Sequence, residues 1–172
     1  MAKLVAGGVK LRSQIDAKWP KRDRRSDGWI GDSAHSKRKS DHNPDKNGWV
    51  HALDIDENMG KRGVWRNGRT ARQLANQLRL YAASDLPGSD RLKYLVYEGR
   101  LSSGTYRSTW WNWRSGNWGH YQHIHVSFTA KAQEDRRVWP LPVLATSREQ
   151  RKKWTADLER GSARYLHGTR VS

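Results

Sequence analysis

Three short strings carry the residues that could do chemistry: Ser40-Asp-His42, Ala52-Leu-Asp54 and, far downstream, His123-Ile-His125. In chain order they supply an imidazole, a carboxylate and a pair of imidazoles, the donor set of a zinc site that keeps one position for water. The chemistry of such a site is hydrolysis. The chain has no Cys, so a metal must be held by nitrogen and oxygen ligands, and its seven histidines gain weight for that reason.

Strand geometry can bring these groups together, because side chains at i and i+2 share a face. Over 121–128, His123, His125 and Ser127 fall on one face and Ile124, Val126 and Phe128 on the other, so one face is polar and convergent and the other is core. The stretch 50–56 alternates similarly. Leu53 and Ile55 point one way and Ala52, Asp54 and Asp56 the other, which lets Asp54 face His125 across a sheet. Asp56 shares the ligand face and remains a second candidate, whereas His51 points away and reads as structural.

The surrounding elements follow from spacing and punctuation. Leu11, Ile15 and Trp19 predict a helix over 9–19, ended by Pro20. The polar stretch 21–47 reads as an ordered loop whose length argues for function. Thr70 can cap a helix striped by Ala71, Leu74, Ala75, Leu78 and Ala82 and closed by Pro87 and Gly88. A strand is expected over 91–98, with a turn at Gly99. A Trp-rich segment containing Trp110, Trp111, Trp113 and Trp118 then leads to the His-x-His strand. Its indoles either line a groove for sugar rings or stem peptide or supply the aromatic core. Thr146-Ser-Arg-Glu149 reads as a capping box opening a basic helix that stops at Gly161.

With 172 residues the chain suits one domain, read as 1–140, with a basic helical tail at 141–172. Thirty-three Lys and Arg against seventeen Asp and Glu give a formal net charge of +16, which draws polyanions of any kind, from wall polymers and membrane surfaces to nucleic acid. The charge is spread over 18–25, 37–39, 66–79 and 148–153 and outlines no single groove. A basic nucleic-acid-binding protein or metal-dependent nuclease is the alternative reading, but no basic helix carries base-reading side chains, and no stable nucleic-acid partner is expected. The beginning of the chain has no apolar stretch of signal-peptide length and no later segment could cross a bilayer.

The order of these motifs resembles the zinc peptidases of the D-alanyl-D-alanine carboxypeptidase and hedgehog type, whose signature runs Ser-x-His, Gly, Ala-x-Asp and a terminal His strand. Here those parts are Ser40-Asp-His42, Gly48, Ala52-Leu-Asp54 and His123-Ile-His125. The strings Trp19-Pro-Lys-Arg-Asp, Ser26-Asp-Gly-Trp-Ile-Gly-Asp32, Ala34-His35 and Ser40-Asp-His-Asn-Pro44 are similar to a branch common in actinobacteria and phages, and the likeness covers roughly 10–128.

The resemblance implies an α+β domain with a small antiparallel sheet carrying the zinc site, flanked by helices. It implies one zinc ion on His42, Asp54 and His125, with His123 beside the water, and cleavage of a peptide bond in the bacterial cell-wall stem peptide. An endolysin-like monomer that waits in the host cytoplasm until lysis, then acts on peptidoglycan, fits both the motifs and the charge. In two places the chain departs from the pattern. The Glu-x-x-Trp-His motif that supplies the classical general base is missing, with Gln122 at the position three before His125, and the gap from His42 to Asp54 is longer. His123 and His120 are therefore the candidates for proton transfer or oxyanion stabilisation. Ser40 and Arg38 are the candidates for substrate binding, with Lys37 and Lys39 beside them, and His35 either backs a metal ligand or fixes the His42 loop by hydrogen bonding. Asp32, Asp41 and Asp45 read as hydrogen-bond acceptors of the loop.

Overall fold

The computed structural model describes residues 1–31, 39–61, 68–105 and 109–166, with side chains to 163. In chain order its elements are β1 (Lys3–Leu4), α1 (Ala6–Lys18), β2 (Trp49–Val50), β3 (Ala52–Asp56), α2 (Arg69–Ala83), β4 (Leu92–Tyr97), β5 (Arg100–Ser103), β6 (Arg114–Ser115), β7 (His123–Phe128) and α3 (Arg148–Leu166). The class is mixed α+β. The main sheet is five-stranded and antiparallel, in the order β3-β7-β4-β5-β6, so β7 lies between the strand bearing Asp54 and the β4–β5 hairpin.

The stretch expected as one strand over 50–56 is split at His51. Trp49 and Val50 pair in parallel with Lys3 and Leu4, and the chain then crosses into the main sheet at Ala52. Within that sheet the alternation holds, with Leu53, Ile55, Ile124, Val126 and Phe128 all at 1% exposure or less. β3 is an edge strand, and its outer side is covered at one point by Gly28, which exchanges both backbone hydrogen bonds with Asp54.

The helices bury the faces their spacing predicts. Leu11 and Ile15 of α1 are fully buried, and the α2 stripe at Ala71, Leu74, Ala75, Leu78 and Ala82 is buried with them. α1 begins at Ala6 rather than at 9, because Gly7 and Gly8 lie where a Cβ would come within 3.2 Å of Ala132 and 3.1 Å of Phe128. Two weak helix formers are kept for close packing. α2 starts after Gly68, not Thr70, and stops at Ser84, whose hydroxyl donates to the Tyr81 carbonyl, ahead of the Pro87-Gly88 pair. The hairpin turn is made by Glu98 and Gly99, both left-handed, which matches the twist of the strands they join.

At the C-terminal end Ser147 caps α3, its Oγ accepting the Gln150 N–H, one residue later than the box predicted from Thr146. The helix then runs through Gly161, where a Cβ would lie 3.0 Å from that of Ser84. This glycine allows close approach and is not a stop. Leu141, Leu144, Trp154 and Leu158 belong to the same core cluster as the sheet. At its centre Trp139 is fully buried, its indole donates to the Gly7 carbonyl at 2.9 Å, and the Arg91 guanidinium lies 3.8 Å above its ring. Among the described residues no helix is long and apolar enough to cross a membrane.

Candidate metal site

Asp54 on β3 and His125 on β7 are direct cross-strand partners, which sets the carboxylate 2.9 Å from His125 Nδ1. His42 enters from the 39–48 loop, its Nε2 lying 3.3 Å from Asp54 Oδ2 and 3.3 Å from His125 Nδ1. The loop is held by a Ser40 turn, in which Ser40 Oγ accepts the His42 N–H, and by the Gly31 N–H donating to the His42 carbonyl.

Tautomers follow from partners. His42 Nδ1 lies 3.2 Å from the Trp29 carbonyl, which can only accept, so Nδ1 carries the proton and the Nε2 lone pair faces the site. On the other ring, Ser127 Oγ donates to Asp41 and therefore accepts from His125 Nε2–H, which leaves Nδ1 with its lone pair turned inward. Two imidazole lone pairs and a carboxylate thus converge within 4.8 Å, a set of acceptors that only protons or a cation can hold together. The donors fit a divalent metal.

The electrostatics agree. Burial alone would raise the Asp54 carboxyl, but in the metal-free site the His125 and His42 rings, once protonated, donate to it and outweigh burial, holding its pKa well below the usual carboxylate range. Burial opposes charge on His42, yet Asp54 prevails and raises its pKa. Protons therefore compete with metal mainly at the histidines. Metal affinity is expected to fall with acid from above the ordinary histidine pKa of about 6.5, as the raised His42 pKa dictates, while Asp54 adds no pH dependence until far lower. Zinc affinity measured by chelator competition between pH 5 and pH 8 checks this, and a profile flat down to pH 5 contradicts it.

A support for the site lies behind His125. From His125 Nε2 the chain of contacts passes to Ser127 Oγ at 3.1 Å, to Asp41 at 2.9 Å, and to Lys93 Nζ, which donates to both Asp41 oxygens at 2.8 Å. Burial opposes charge on Asp41, but its bonds from Lys93 and Ser127 keep its pKa below the ordinary value. A register shift between Leu92 and Tyr94 bulges β4 at Lys93. The bulge lets Lys93 reach Asp41 while the next residue, Tyr94, stacks on the His125 ring at 5.4 Å. Asp41 is thus more than the loop acceptor expected. Asp41→Ala frees the Ser127 hydroxyl to donate to Nε2 and push the His125 proton onto Nδ1. Metal affinity should drop about 10- to 100-fold, read in the same competition assay.

His120 and His123 close the open side. His120 Nδ1 is 2.7 Å from His123 Nε2, and His123 Nε2 is 3.6 Å from Asp54 Oδ2. The His120 backbone is left-handed (φ 57°), held there as its carbonyl accepts from Glu98 N–H and that of Gly119 from Gly99 N–H. The hairpin turn therefore places this imidazole. Burial, reinforced by His125 and His123, pushes the His120 pKa down to about 4, and burial also lowers that of His123. Both are neutral at pH 7. No family profile, curated protein or solved structure matches this chain. Its own geometry carries the functional argument.

A cleft of about 600 Å³ opens beside the site, lined by Asp54, His123, Gln122, Arg25, Ser26 and Glu57 among others. Asp56, the alternative ligand, is committed to the Ser26 N–H and hydroxyl. His51 pairs with Asp45, away from the site. The tryptophans divide: Trp111 is core, Trp110 and Trp113 are half-buried, and Trp118 is 48% exposed. Arg38, Lys37, His35 and Asp32 lie outside the described residues. Ser127 could have been found from the alternation that exposed His125. Asp41 and Lys93 could not, since neither a loop contact nor a bulge leaves a periodic signal.

Proposed function

We propose that this chain is a zinc-dependent peptidoglycan peptidase of endolysin type, with the fold of the zinc peptidases its motifs resemble, hydrolysing a peptide bond in the bacterial stem peptide. The observation carrying this reading is the convergence of His42 Nε2, His125 Nδ1 and Asp54 as acceptors within 4.8 Å of one another. Those residues would hold one ion, and two imidazoles with a carboxylate suit zinc better than magnesium or calcium. When bound, zinc supplies Lewis acidity, polarising a carbonyl and lowering the pKa of water to about 7.

The protein's own groups do the remaining work. Asp54 supplies the negative charge that balances a cation, and Ser127 and Asp41 keep the His125 lone pair aimed inward. His123 and His120, neutral at working pH, take the proton of the attacking water and return one to the leaving amine, a contribution of about 10²- to 10⁴-fold. Their 2.7 Å contact lets that proton pass from ring to ring. Trp118 and Tyr121, exposed on either side of His120, offer faces for sugar or peptide. Ser40 and Arg38 are assigned to substrate, Arg38 for its carboxylates. The net charge of +16 draws the enzyme to anionic wall polymers or membrane surfaces, an attraction that salt weakens. It is proposed to act as a monomer, held in the host cytoplasm until lysis.

The test is turnover of purified peptidoglycan by the wild type and by His125→Ala, with chelator and with added zinc, followed by mass spectrometry of the muropeptides. Zinc-dependent new amino termini, absent from the variant, are expected and identify the bond. Zinc-loaded wild type that releases nothing from several wall chemotypes overturns the reading.

A further inference from the structure

Asp54 belongs to two sets of donors. Besides His42 and His125, it forms a second group with His120 and His123, whose ligand atoms likewise lie within 4.8 Å of one another. We propose that Asp54, His120 and His123 form a second, weaker site for a divalent transition-metal cation, sharing the Asp54 carboxylate with the first.

The second set is separate in access and in support. His123 has a side-chain exposure of 24% against 6% for His42 and for His125, so a cation from solvent can reach it when the inner donors are occupied. The 2.7 Å contact between His120 Nδ1 and His123 Nε2 needs a proton between two ring nitrogens, and a cation can take that proton's place. The pinned left-handed backbone at His120 keeps its ring in position, so little ordering is lost on binding. Two imidazoles and a carboxylate favour zinc, copper, nickel or cobalt over magnesium and calcium. The site is the weaker of the two because its only negative charge is already neutralised by the first cation, and the two ions repel. Filling it removes both imidazoles from proton transfer. On the peptidase reading, which this consequence rests on, excess zinc therefore inhibits.

Calorimetric titration of the metal-free full chain with zinc tests the site without reference to activity. Two classes of binding are expected, with the weaker one lost in His120→Ala and in His123→Ala, the tighter one kept in both, and both lost in Asp54→Ala. A single equivalent in the wild type overturns the proposal, as does a weaker class that survives both histidine substitutions. Two classes with the expected losses, in a protein that cuts no peptidoglycan at any zinc level, uphold the second site while overturning the peptidase. One class with zinc-dependent turnover does the reverse.

Discussion

On the proposed peptidase reading, Asp54→Ala is expected to strip the protein of tightly held metal and to lower peptidoglycan turnover by about 10³-fold or more. Asp54 is the one anionic donor at the site, and its oxygens lie within 3.6 Å of a ring nitrogen of His42, His123 and His125. Without it, two neutral imidazoles face a dication with no charge to offset it. A Lewis acid contributes several kcal/mol of transition-state stabilisation, and about 4 kcal/mol corresponds to about 10³-fold in rate. The fold should persist, since the Asp54 backbone keeps its pairing to β7 and to Gly28. Metal content after gel filtration, turnover and far-ultraviolet circular dichroism separate the cases. A folded Asp54→Ala protein that keeps stoichiometric zinc and turns over within tenfold of wild type removes Asp54 from the site.

Trp139→Ala is expected to cost about 3–5 kcal/mol of stability, lowering Tm by about 10–15 °C in a chain of this length. The indole is fully buried against Phe128 and Tyr81, its Nε1–H satisfies the Gly7 carbonyl, and its face covers the Arg91 guanidinium. Arg91 is itself fully buried and donates to the carbonyls of Gly88, Arg137 and Val138. The substitution leaves this cation beside a void, which places the effect at the upper end of the range. Trp139→Phe keeps a ring under the guanidinium and loses only the indole's bond to the Gly7 carbonyl, which still accepts within α1, a penalty of about 0.5–1.5 kcal/mol. Thermal unfolding of the three proteins gives the order wild type, Phe, Ala. Equal losses in the two variants would show that the hydrogen bond, and not the ring, holds this region.

What could be read from the sequence was whatever repeats with a period. The alternation at 123–128 and 52–56 exposed both the core face and the convergence of His125 with Asp54, since a strand leaves only two directions for a side chain. The α2 stripe was legible for the same reason. The illegible parts depend on contacts distant in sequence. Nothing at His51 says that the strand changes sheets there, because that follows from pairing with Lys3 and Leu4. Gly161 reads as a stop until Ser84 and Leu86 are known to press against it. The Asp41 relay required a bulge at Lys93, and the placement of His120 required hydrogen bonds from the hairpin turn at Glu98 and Gly99. Residue types announced the candidate metal donors, whereas their supports came from tertiary contacts.

The cross-strand pairing of Asp54 with His125 also bears on kinetics. The donors come from opposite halves of the chain and meet only when β3 has docked on β7, a non-local contact that we expect to form after the folding transition state. A metal ion that binds this constellation has nothing comparable to grip in the unfolded chain, so it should leave the folding rate unchanged and act on the reverse step. At a concentration of 100 times Kd it stabilises by about 2.7 kcal/mol, equivalent to about 100-fold slower unfolding. The metal would act as a latch that closes after the fold is complete, lengthening the protein's lifetime without hastening its formation.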